Sequence, residues 1–195
     1  MKRVLAAVAV SLIAVTGLVA TSTTPAAAHG AHAHAHAHWG QQSRVGYTQV
    51  VVAPPVYALV ASAGITPAPV GGATAFPYKG TLAARFPITG YRFSALQIRH
   101  SGGISLTAGP ATISLSDFTI DLSRLRVSGV VAGTVGNVGR VDLFKIRRSD
   151  RPDLGLVRLT LTSTAAGALN ATFGVSAFAE NGTFGYATPR PFGRL

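Results

Sequence analysis

From Thr81 onward, apolar and polar residues alternate in short runs separated by glycine, the period-two pattern of half-buried strands. "TLAARFPITG" and "FSALQIRH" precede a Gly102-Gly103 turn, and "ISLTAG" follows it. In "ATISLSDFTIDL", Ile113 and Leu115 occupy odd positions, whereas Phe118, Ile120 and Leu122 occupy even ones. That change of parity predicts a bulge or turn at Ser116-Asp117. "LRVSGVVAG", "RVDLFKI" and "LVRLTLT" continue the series, and in the last Val157, Leu159 and Leu161 alternate with Arg158 and Thr160. "STAAGALNATFG" interrupts it with a helix capped by Thr162 or Ser163, and "GTFGYAT" closes it with a strand. Upstream, Thr48–Val52 reads as a first strand, and "PPVYALVASAG" as a short helix between Pro54-Pro55 and Gly64. "ITPAPVGGATAFPYKG" reads as loop from its proline and glycine. Many short strands with glycine-rich turns and two short helices predict a mainly β chain, an antiparallel β-sandwich.

The pattern fails before residue 48. Met1-Lys2-Arg3 is a short basic start, Val4–Ala20 an uncharged apolar run, and Ala26-Ala27-Ala28 a small-residue exit. That order predicts a secretory signal peptide over 1–28. The competing reading is a membrane anchor, but the run is 17 alanine-rich residues, and a bilayer asks for about 20 predominantly apolar ones. Cleavage after Ala28 leaves 195 − 28 = 167 residues with no transmembrane anchor, secreted, extracellular or associated with the cell wall. Residues 29–47 carry His, Gly, Gln and Ser without apolar period and are expected to be a disordered histidine-rich tail; 48–195 form the domain.

Composition narrows the chemistry. There is no cysteine, so disulfides, thiol catalysis and cysteine-bound zinc are excluded, and stability rests on apolar burial. Losing Lys2 and Arg3 takes the basic count from 17 to 15 against 6 acidic residues, a net +9. That charge favours anionic cell-envelope components or a small anionic ligand as partners. The basic residues are dispersed apart from Arg147-Arg148 with Arg151 nearby, and no aromatic–basic interleaving marks a base-stacking surface, so no nucleic-acid partner is expected.

"RHSGGISLTAG", "ISLSDFTIDL", "GRVDLF" and "LTLTSTAAGALNATFGVSAF", in that order, resemble a module of exported actinobacterial proteins related to HtaA-type haem-binding domains, over residues 48–188. The resemblance implies a two-sheet β-structure with a little helix, holding haem through a tyrosine supported by a histidine and a second tyrosine. His100 in "HSGG" falls where the family's histidine would fall. "WGQQSRVGY", Trp39 to Tyr47, echoes the leading tyrosine signature with the spacing short by one and the usual phenylalanine missing. Tyr186 would be the later tyrosine. The haem set implied by the resemblance is therefore Tyr47, His100 and Tyr186, since a phenolate suits ferric iron and a neighbouring histidine would hold it deprotonated.

No catalytic constellation is present. The 6 acidic residues form no carboxylate pair, and there is no G-x-S-x-G, no H-E-x-x-H and no glycine-rich phosphate loop. The chain is read as non-enzymatic. His29, His32, His34, His36 and His38 alternate with alanine or glycine-alanine and are the metal candidates, a loose multi-imidazole site for Zn(II), Cu(II) or Ni(II). Mature His29 with its α-amine would offer half of a copper brace, but its partners sit on an Ala-Gly leash; Ala31 occupies the third mature position, where an X-X-His site needs histidine. The bland alternative is a solvated tail that gains charge as pH falls through about 6.5. Together these features predict a secreted, non-enzymatic envelope or extracellular binding domain of HtaA-like type, or alternatively a metal- or haem-acquisition protein.

Overall fold

The computed structural model describes residues 46–134 and 136–193. The signal peptide, the five tail histidines and Trp39 lie outside the described residues. The strands are β1 (Gly46–Val52), β2 (Thr66–Val70), β3 (Thr74–Tyr78), β4 (Thr81–Arg92), β5 (Gln97–His100), β6 (Gly103–Ala108), β7 (Ala111–Asp121), β8 (Arg126–Gly133), β9 (Gly139–Arg148), β10 (Val157–Leu161) and β11 (Thr183–Pro191); helices α1 (Pro54–Ser62) and α2 (Ser163–Phe173) complete it.

The predicted sandwich is not what forms. Neighbours run β7-β5-β4-β1-β11-β10-β9-β8, and β8 pairs back onto β7, so eight antiparallel strands close into a barrel. Strand alternation is the same in a sandwich and a barrel, because both bury one face of each strand. What separates them is which distant strands pair, such as β1 with both β4 and β11, and no local pattern encodes that. Three further strands lie outside the ring: β6 on β7, β2 on β6, and β3 on β4.

β7 shows how the closure is achieved. Its first half pairs with β6, from Ala111 to Ser116, and its second half pairs with β5, from Thr119 to Asp121. Between them the register slips, Asp117 adopts φ 51°, and its N–H donates to Gly102 O at 2.9 Å. The bulge lies where the apolar alternation changes parity, and it bends β7 so that one edge serves two partners. The segment expected to be loop, 65–80, instead holds β2 and β3. Pro67 and Pro69 alternate along β2, an edge strand, where a missing N–H breaks no ladder if it faces away from the partner.

α2 closes one end of the barrel. The Thr162 hydroxyl accepts from Ala165 N–H at 3.1 Å, and Gly174 at φ 64° ends the helix. Buried Ala165 and Leu169 pack against Ile113, Val131, Leu143 and Leu161. The opposite rim gathers the ends of β4, β7, β9 and β11 and the starts of β5, β8, β10 and β1. Two of its turns carry leucine at left-handed geometry, Leu96 and Leu125, each at φ 51°. Glycine is the ordinary residue there, and a side chain with a Cβ costs about 1–2 kcal/mol.

Candidate functional site

Inside the barrel, between the α2 layer and the open rim, is a cavity of about 110 Å³. Leu115 and Phe144 line both it and the α2 layer. Its walls come from inward positions of the ring, among them Val50, Phe86, Phe118, Val127, Leu159 and Phe184. Leu122, Val157 and Pro189 line it near the rim, and Leu122 is 45% exposed, so the mouth lies on that side.

One polar pair interrupts this apolar wall. His100, at the end of β5 and 5% exposed, has Nδ1 3.1 Å from Phe118 O and Nε2 2.7 Å from Thr48 Oγ1. A carbonyl only accepts, so Nδ1 carries the proton and donates to Phe118. Nε2 is then the lone pair that receives the Thr48 hydroxyl. Burial pushes the imidazole pKa down to about 4, and the Phe118 hydrogen bond opposes that only in part. The ring is neutral across physiological pH, and its Nε2 is occupied by the Thr48 hydroxyl.

The two tyrosines do not join it. β1 directs Thr48 and Val50 inward, so Tyr47 and Val51 point outward. Tyr47 belongs to β1, not to the lead before it, and is 7% exposed. Its ring carries the Arg85 guanidinium at 4.9 Å, which also lies 4.6 Å from the Phe76 ring. Tyr186, paired with Val51, packs with Ala53, Ala83 and Leu154 in a second cluster under β3. Burial and a hydrogen bond to Asp150 raise its phenol pKa, away from the phenolate that iron ligation needs. Tyr47 and Tyr186 are thus separated from His100 by the thickness of the sheet. The sequence singled out His100 but not its partner Thr48, because "VVV" at 50–52 is apolar in both parities and gives no inward face.

The geometry defines a class: a small antiparallel barrel, plugged by a helix at one end, with an apolar interior that opens at the other. No protein-family model matches the chain, and no curated protein does. Among solved structures it is similar to the crystal structure of the haem-binding protein HtaB from Corynebacterium glutamicum, with a TM-score of 0.51 and 12% identity over 74% of this chain and 90% of that one. The likeness is one of fold.

Within this cavity no tyrosine is placed to ligate haem. No tyrosine lines the cavity, and the phenol of Tyr186 is pushed towards protonation. Size agrees: pockets that bury drug-sized ligands measure about 300–1,000 Å³, several times the 110 Å³ here. Among the described residues no cluster of three metal-ligating side chains occurs, and no helix is long and apolar enough to cross a membrane.

Proposed function

We propose that this chain is a secreted, non-enzymatic envelope or extracellular binding domain whose barrel receives a slim apolar group, such as the end of an acyl or prenyl chain. The observation that carries it is the cavity itself, about 110 Å³ of apolar space open at one rim, with His100 and Thr48 bonded to each other within its wall. Engineered apolar cavities of about 150 Å³ stay dry and take up benzene-sized molecules, so this space suits a chain end or one ring. The Thr48 hydroxyl and His100 Nε2 satisfy each other, so a bound hydrocarbon leaves no buried polar atom unpaired. Export rests on the basic start, apolar run and alanine exit of residues 1–28. A haem-acquisition role remains the second reading, favoured by the haem-binding protein that shares the fold.

The test is a titration with N-phenyl-1-naphthylamine, a fluorophore that brightens in apolar sites, followed by competition with palmitate and with haemin. Probe uptake should be displaced by palmitate and lost in Val50→Phe, which fills the cavity from a half-buried wall position. A probe signal untouched by Val50→Phe refutes the cavity reading. Haemin binding with an iron–phenolate absorbance band refutes the exclusion of tyrosine.

A further inference from the structure

The open rim presents a second feature that the cavity does not use. Phe93 is 82% exposed, Leu96 55%, Leu122 45% and Leu125 48%. They sit on two turns that the fold joins, since Leu122 N–H donates to Leu96 O at 3.0 Å. Phe93 stacks on Tyr91 at 5.7 Å between centroids. Neither leucine at φ 51° is there for the backbone, because glycine would hold both turns with less strain and less exposed hydrocarbon. Around these tips stand Arg92, Arg124 and Arg126. Arg92 and Arg126 have no carboxylate partner among the described residues; Arg124 pairs with Asp142 at 3.1 Å. Asp121, next to Leu122, has its oxygens taken by Gln97 Nε2, Ser123 Oγ and Arg124 N–H.

We infer that this rim docks on an anionic lipid surface, with Phe93, Leu96, Leu122 and Leu125 entering the interface and the arginine collar meeting headgroup phosphates. Convex apolar tips ringed by cations are complementary to a bilayer, where hydrocarbon lies beneath a layer of negative charge. The cavity mouth shares Leu122 with these tips, so docking would place the opening against the layer that supplies apolar chains. Docking itself does not require that the cavity be filled.

The chain lacks cysteine, so an environment-sensitive label at Ser94→Cys, exposed between Phe93 and Leu96, reports this rim alone. A second label at Ser62→Cys, on exposed α1, reports the far end and controls for attachment through residues 4–20. With phosphatidylcholine vesicles containing about one-third phosphatidylglycerol, the label at 94 should shift to the blue and be quenched by lipid-borne quenchers, and the label at 62 should not. Pure phosphatidylcholine, or 0.5 M salt on the order of a 4 Å screening length, should weaken the response. Phe93→Ser/Leu96→Gly/Leu125→Gly should keep or raise the melting temperature and lower docking by about tenfold or more. Val50→Phe should dock normally, which separates this inference from the cavity reading. Equal response at both labels, response at neither, or unchanged docking in the triple variant would overturn it, as would loss of docking in Val50→Phe.

Discussion

His100 makes the barrel's stability depend on pH in a window set by one residue. Its folded pKa is about 4 against an ordinary 6.5, because burial penalises the imidazolium. The unfolded chain therefore binds the extra proton first, and stability present above pH 6.5 is lost as pH falls towards 4. The full depression is worth about 3 kcal/mol at 1.36 kcal/mol per pH unit, of which about 2 kcal/mol should be gone at pH 5. For a domain holding roughly 5–15 kcal/mol this is a large fraction. The depressed carboxylates, such as Asp121 held near 2 by Ser123 and Gln97, act in the same direction but below pH 4, outside this window. Urea unfolding at pH 7.5, 6 and 5 of the native chain and of His100→Gln gives the measurement. Glutamine can donate to Phe118 O and accept from Thr48 without titrating. The two stability curves should converge by about 2 kcal/mol between pH 7.5 and 5. Parallel curves would mean that the imidazole is protonated at no special cost, and the account of a dry, neutral His100 would be wrong.

Gly103→Ala should cost about 3 kcal/mol or more, because a Cβ there overlaps the Leu115 carbonyl oxygen and lies 2.7 Å from Ser116 Cα; chemical denaturation reads it, and a loss below about 1 kcal/mol would show that the β6–β7 pair gives easily. Removing residues 29–38 should abolish micromolar Zn(II) or Cu(II) binding by calorimetry while leaving the melting temperature nearly unchanged, since β1 begins at Gly46. Metal binding that survives the deletion would relocate the site to the body.

Individual elements were more legible in the sequence than their assembly. Val157, Leu159 and Leu161 mark β10 because each period-two position meets the same interior. Gly64 and Gly174 mark the two helix ends because left-handed geometry selects glycine. β2 and β3 were hidden because proline and glycine read as loop wherever strand position is unknown, and only an edge strand tolerates Pro67 and Pro69. Barrel closure was hidden for a different reason. The β7–β8 contact joins Asp121 to Arg126 through a four-residue turn, a local hairpin in either architecture, while closure depends on pairs as distant as Thr48 and Phe86.

The site residues show what a strand does to a motif. The tyrosine of "WGQQSRVGY" stands one residue short of the spacing that the family resemblance implies, a discrepancy that looks minor on a sequence. On a strand it decides the chemistry, since successive side chains leave by opposite faces. Tyr47 goes outward to Arg85, and Thr48 goes inward to His100 Nε2. A phenol at the inward position would have filled this space and brought a hard anionic ligand beside an imidazole. A threonine leaves the space open and gives Nε2 a neutral donor. Burial then pushes the His100 pKa down to about 4, opposed only by the hydrogen bond to Phe118 O. The apolar space at Thr48 and the hydrogen bond that its hydroxyl makes to His100 therefore both follow from which β1 residue faces inward.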